Sequence, residues 1–200
     1  MNEHSFKELI NLAAETKEQI RKAAVEVISI KGFHNTRMQE IADKAELAVG
    51  TLYNYFSSKS EILEYIFEME MKRRVGIMHD LKANNLSIKE LLGEFLKRHY
   101  EILIRNPHLG RVVVREKDFS KNKKAGEIKK FMQTLITSIE KIFKSGVENG
   151  EVKDIDCHLM AVFFFGAIHG IIEHALTEPE MEMLQNAPDF IMQRIDHIFI

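Results

Sequence analysis

Three side chains near the C-terminal end, His169, Glu173 and His174, are where bound metal or acid–base work would first be sought. His169 and Glu173 are four apart and share a helical face. His174 lies five residues from His169 and turns well away from it. A zinc-binding helix spaces its two histidines four apart, and di-iron bundles need paired Glu-x-x-His motifs on separate helices. Neither pattern occurs, so no metal and no cofactor are expected, and these residues read as polar groups of a pocket or an interface. A second set has different chemistry. Asn54 and Gln39 carry amides that can pair with adenine N6 and N7. Lys59 opens a helix whose dipole it opposes, and a phosphate contact is a better reason for a lysine there.

The elements that must position the second set lie between Thr36 and Phe56. Thr36 followed by Gln39 has the form of a capping box, which starts a helix at Arg37. Ile41, Ala42 and Ala45 give that helix a small, apolar side. A second short helix runs from about Val49, with Leu52 and Phe56 one turn apart and facing inward. Two short helices, a tight turn and small residues at the crossing describe a helix-turn-helix, whose second helix lies in the major groove. Val49, Gly50, Thr51, Tyr53, Asn54 and Tyr55 are left facing out, and none is anionic.

This stretch resembles the DNA-binding motif of the TetR family of bacterial transcriptional regulators. The resemblance is densest in Gly50-Thr51-Leu52-Tyr53-Asn54-Tyr55-Phe56 followed by Ser58-Lys59, and extends back through Ile41-Ala42 and Thr36 to Gly32-Phe33. It implies an all-helical homodimer that binds a double-stranded DNA operator and releases it when a small molecule binds. It also implies roles. Thr36, Arg37 and Gln39 lie where related proteins touch DNA. Val49, Gly50, Thr51 and Asn54 would face base edges, while Tyr53, Tyr55 and Lys59 would meet phosphates. The chain departs from the family pattern in three places. Glu46 stands where the turn usually holds glycine, so a side chain must bear positive φ. Ala48 replaces the usual N-cap serine or threonine, and Val49 replaces a frequent polar residue at the groove.

The composition agrees with a helical, globular chain. Of 200 residues, 45% are hydrophobic and 29% charged, with three prolines and ten glycines, and 3.6-residue periodicity dominates. The net charge of −2 excludes a general nucleic-acid glue. Residues 1–60 balance Lys7, Lys17, Arg21, Lys22, Lys31, Arg37, Lys44 and Lys59 against Glu3, Glu8, Glu15, Glu18, Glu26, Glu40, Asp43 and Glu46. DNA attraction must therefore come from charge placement. Cys157 is the only cysteine, which forbids an intrachain disulfide and fits the reducing cytoplasm. The longest uncharged apolar run, Leu159 to Ile168, is too short to span a bilayer, so no membrane association is expected.

The remaining helices follow from caps and periodicity. Ser5–Glu8 and Thr16–Gln19 both read as capping boxes, which predicts a break near Glu15 and an N-terminal turn packed on the domain. The helix from Lys17 turns Ile20, Ala23, Ala24, Val27 and Ile28 inward and stops at Gly32. Further helices start after Ser58 and Ser87, end at Asn106-Pro107, and run from Ala125 to Asn149. Asp154 or Asp156 caps the next, and Pro188 opens the last. About nine helices result, with residues 1–60 as the DNA-binding domain and 61–200 as the ligand-binding and dimerisation domain.

The segment Cys157–Ala167 is apolar nearly all round and needs cover on every side. Leu159 and Phe164, together with Phe190, Ile191, Ile195 and Ile198, are therefore expected at a dimer interface. Methionine and phenylalanine, including Met78 and Met132, can line a deformable cavity. Its expected lining is Phe95, His99, Tyr100, Phe131, Leu135, Phe165 and His169, with Glu173 nearby. Such a cavity suits a hydrophobic effector with one polar end: a fatty acid or acyl-thioester first, a lipophilic drug second. A ligand-binding or interaction protein without DNA binding, and a helical enzyme, are the competing classes.

Overall fold

Gly32 ends the first helix with φ of +78°, the left-handed conformation that glycine takes without a Cβ penalty. In the computed structural model, which describes residues 3–116, 125–178 and 180–200, that helix is α1, Glu3–Lys31. It runs unbroken through the expected break near Glu15. Thr16 does not cap; its hydroxyl donates to the Leu12 carbonyl inside the helix at 2.8 Å. The Gln19 amide donates to the Ala45 carbonyl at 2.6 Å and so closes the end of α2. Ser5 sits inside the helix rather than before it. Ile10 and Leu12 are exposed, so this extension is not packed down over those residues.

Two compact units follow, Met1–Glu70 and Met71–Ile200. The first holds α1, α2 (Met38–Lys44), α3 (Val49–Tyr55) and the start of α4 (Lys59–Lys82). The boundary falls inside α4, ten residues beyond the expected residue 60, because Ile62, Leu63, Ile66 and Phe67 are buried with the head's core. Ile20, Ala24, Ile28, Ile41, Ala42 and Leu52 complete that core. Val27 is only half-buried and Val25 is buried instead. The α1 stripe is thus rotated slightly from the expected one.

The second unit contains the rest of α4, then α5 (Ile88–Arg105), α6 (Pro107–Arg115), α7 (Ala125–Glu148), α8 (Cys157–Thr177) and α9 (Met181–Ile195). A short 3-10 turn, Asp196–Ile198, closes the chain. Nine α-helices are thus present among the described residues. The Ser87 hydroxyl accepts from the Glu90 amide while the Glu90 carboxylate accepts from the Ser87 amide, a reciprocal box that starts α5. Asn106 caps α6 and Asp156 caps α8. α8 packs on α6, α7 and α9, and α5 packs on α9.

One expectation fails here. Pro188 does not open α9 but sits buried within it, seven residues after Met181. Leu184 and Ala187 need burial, and this pulls the acidic stretch before Pro188 into the helix. Within the protomer, α8 is covered on one side only. Ala161, Phe164, Ile168, Ile172 and Ala175 face the core, whereas Leu159, Val162 and Phe163 are exposed. With 21 residues, α8 is also long and apolar enough to cross a bilayer by length and composition, although its inner face is packed against three helices.

Candidate nucleic-acid interface and ligand cavity

The helix-turn-helix forms as expected, but its capping differs. The Thr36 hydroxyl donates to the Gly32 carbonyl at 2.9 Å and Thr36 is only 3% exposed. The helix instead starts at Met38, and the Arg37 amide donates to the Glu40 carboxylate at 2.8 Å. The Gln39 amide donates to Asp43 at 2.7 Å. Thr36 thus tethers the turn before α2. Arg37 and Gln39 are exposed. Glu46 takes φ of 54°, the strained conformation expected where the family has glycine. Ala48 is the N-cap of α3 and supplies no side-chain hydrogen bond.

On α3, Leu52 is buried and the outward residues are the expected ones. Gly50, Tyr53 and Asn54 are exposed, and Val49, Thr51 and Tyr55 are half-exposed. A Cβ added to Gly50 would meet only open space, so glycine is not required by the fold here, and its smoothness is available for a close surface approach. Lys59 has partners within the head. Its ammonium donates to the carbonyls of Phe33, His34 and Thr36 and lies 4.4 Å from the centre of the Phe33 ring. An ammonium has three donors, and three carbonyls accept from it. The ammonium is engaged by the head itself, because the end of α1 and the turn after it present carbonyls that need donors.

The second unit contains a cavity of about 210 Å³ between α4, α5, α7 and α8. Phe95, His99, Leu135, Phe165 and His169 line it, as expected from sequence. Tyr100 does not. It is buried behind His99 and its hydroxyl donates to the Ile168 carbonyl at 3.2 Å; burial raises its pKa far above the usual phenol value. Glu173 is exposed and outside the lining. Phe131 and Met132 carry side chains outside the described residues. The expected Met78 lines the cavity, and so do Arg74, Val75, His79 and Lys82 from the same helix. These four were missed because α4 reads as a linker with its apolar side toward the head. The spacing of Arg74, Met78 and Lys82, four residues apart, was the available signal.

The cavity's electrostatics are one-sided. Arg74 and Lys82 are cations, and among the described residues no carboxylate lines the wall. Arg74 Nε donates to His99 Nδ1 at 3.3 Å in a buried contact. Burial, then the nearby Arg74 and His169, hold His99 well below the ordinary imidazole range, so the ring is neutral. The His169 ring lies tilted against Phe165 at 4.2 Å between ring centres, and no cluster of three metal-ligating side chains occurs among the described residues.

The expected interface residues divide. Leu159 and Phe190 are 64% and 51% exposed, with Val162 and Phe163 beside Leu159 on the same face. Phe164, Ile191, Ile195 and Ile198 are buried within the protomer. They belong to the core, since α8 and α9 each turn one apolar face inward and only α8 has a second one left over.

Comparison with known proteins agrees with this architecture. Residues 20–66 match the family model for bacterial regulatory proteins of the tetR family. Residues 85–173 match a tetracyclin repressor-like C-terminal domain. The fatty acid metabolism regulator protein of Bacillus subtilis (strain 168) is 30% identical over 151 residues, covering 75% of this chain and 78% of that protein. The HTH-type transcriptional repressor KstR of Mycobacterium tuberculosis is 28% identical over 153 residues, 74% of this chain and 66% of that one. The crystal structure of the transcriptional regulator FadR from Bacillus subtilis in complex with stearoyl-CoA superposes with a TM-score of 0.79 at 26% identity, covering 88% of this chain and 95% of that one.

Proposed function

Because the chain belongs to the TetR family of bacterial transcriptional regulators, we propose that it is a homodimeric cytoplasmic repressor whose operator is released by a fatty acid or acyl-CoA. The observation that carries the ligand is the cavity wall: apolar side chains from four helices, with Arg74 and Lys82 and, among the described residues, no carboxylate. An apolar chain draws affinity from burial, and the few polar groups fix its orientation. A negative or oxygen-rich end suits this wall. A lipophilic cation would enter beside Arg74 and meet no carboxylate among the described residues, which weighs against a cationic drug. The fatty acid metabolism regulator and the stearoyl-CoA complex among the relatives support the same ligand class.

Release requires differential affinity for two conformations. At about 210 Å³ the cavity is smaller than the roughly 300–1,000 Å³ of most ligand sites. A long acyl chain would have to open it, and α4 is both a cavity wall and the helix shared with the head. Driving a DNA-competent dimer from 99:1 to 1:99 takes about 5.5 kcal/mol of differential binding. Burial of two acyl chains, at about 0.8 kcal/mol per CH₂, is ample.

On the head, we assign base reading to Asn54 and its neighbours on α3 and backbone contacts to Tyr53, Tyr55 and Arg37. The exposed Leu159, Val162, Phe163 and Phe190 support dimerisation through α8 and α9. A two-fold dimer would then read two half-sites about 34–36 Å apart or a multiple of it. The test is a gel shift on the DNA upstream of its own gene, with an acyl-CoA chain-length series added. Binding that is abolished by acyl-CoA within the series supports the reading. DNA binding indifferent to every acyl compound overturns the ligand, and no binding overturns the repressor.

A further inference from the structure

His99 is 5% exposed and lines the cavity, and a neighbouring side chain sets its tautomer. Its Nδ1 accepts from Arg74 Nε at 3.3 Å, so a neutral ring carries its proton on Nε2. That Nε2 is buried and has no hydrogen-bond partner. The ring is also held in place. Phe95 stacks on it at 5.6 Å and Tyr100 meets it edge-on at 5.7 Å. Flipping the ring would set Nε2 against Arg74 and leave Nδ1 as the orphan. The Tyr100 hydroxyl is already committed to the Ile168 carbonyl. A buried donor without an acceptor costs free energy, and native structures rarely keep one without a use.

We propose that His99 is the polar anchor of the cavity and donates its Nε2–H to a carbonyl or carboxylate oxygen of the bound acyl ligand. Arg74 is the positioning residue that sets the tautomer. This rests on the acyl-ligand reading above and adds the group that recognises the ligand's oxygen. An N–H beside a guanidinium calls for lone pairs, preferably with negative charge. A ligand without that oxygen would fill the apolar space but leave the donor orphaned. The site therefore discriminates by functional group more sharply than by one methylene of chain length.

Titration calorimetry of the full-length protein with decanoyl-CoA and S-decyl-CoA tests this. The second is a thioether with a methylene in place of the carbonyl and the same charge. Wild type should prefer decanoyl-CoA by about tenfold. His99→Phe keeps a ring but no donor, and the preference should fall to about one. His99→Gln, which offers an amide donor, should recover part of it. A purely structural role for His99 would weaken both ligands together and leave their ratio intact, which overturns the assignment while the acyl reading stands. Equal binding of the two by wild type overturns it as well. Binding of neither overturns the acyl reading and this assignment together. Should His99→Phe fail to fold, ¹⁵N NMR of the histidine-labelled wild type, assigned with His99→Gln, decides the matter. The His99 Nε2–H resonance should move with decanoyl-CoA and not with S-decyl-CoA, and no difference between them counts against the anchor.

Discussion

The ammonium of Lys59 donates to the carbonyl of Thr36 at 2.6 Å, joining the first turn of α4 to the turn before α2. Both residues were expected to touch DNA, and both spend their polar groups on the head itself. Lys59→Ala should therefore destabilise the head, by about 2 kcal/mol for the loss of charge-assisted hydrogen bonds, in urea unfolding followed by circular dichroism. Its DNA binding under stabilising conditions should keep the wild-type salt dependence. A salt slope lowered by about one with unchanged stability would restore the phosphate contact.

The turn between α2 and α3 carries two local penalties. Glu46 holds φ of 54°, and Ala48 leaves α3 without a side-chain cap. Glu46→Gly should stabilise the protein by about 0.5–1 kcal/mol, the relief of left-handed strain less the added chain entropy. Ala48→Ser should add about 0.5–2 kcal/mol. Thermal unfolding of each variant checks the sign, and a lower melting temperature for Glu46→Gly would mean the carboxylate makes a compensating contact.

Asn54 is exposed on α3 beside Gly50. Asn54→Ala should relax base preference at one position in each half-site, with about 1–3 kcal/mol of discrimination lost there. Selection of operators from random DNA reads this directly. An identical consensus from wild type and variant would remove Asn54 from the base-reading set.

Phe163 and Phe164 are adjacent and have opposite fates. Phe163 is 53% exposed and Phe164 is fully buried against Phe143. Phe163→Glu should yield a folded monomer in sedimentation at micromolar concentration. Phe164→Glu should instead fail to fold, because it buries a charge in the core. A folded, dimeric Phe163→Glu protein would move the interface off α8.

Burial first, then the nearby Arg74 and His169, hold His99 well below the ordinary imidazole range. In the unfolded chain the imidazole takes up a proton as pH falls through about 6.5, while in the folded chain it stays neutral to lower pH. The unfolded state then binds more protons, so stability falls with decreasing pH, by at most about 1.4 kcal/mol per pH unit from this group. The loss runs from about pH 6.5 down to the folded pKa. Denaturant unfolding at pH 7 and pH 5.5 should show a smaller loss for His99→Gln than for wild type, and equal losses would assign the acid sensitivity elsewhere.

Helix order, the stop at Gly32, the positive φ at Glu46, the missing cap at Ala48 and the outward face of α3 were all legible in the sequence. Each depends on residues within a turn or two of one another, where φ preference, capping and the 3.6-residue repeat act directly. Cavity residues from α5, α7 and α8 were legible for the same reason, as apolar faces with a histidine among them. What the chain order could not disclose was partnership at a distance. Lys59 meets the carbonyls of Phe33 and Thr36, more than twenty residues away, and the fold alone brings them together. Phe163 and Phe164 have the same chemistry, and only the packing of α8 against α6, α7 and α9 decides which one is left outside. The proton on His99 is the clearest case. A histidine in a sequence has two nitrogens of equal standing, and it takes Arg74, brought alongside by the meeting of α4 and α5, to leave Nε2–H buried without a partner.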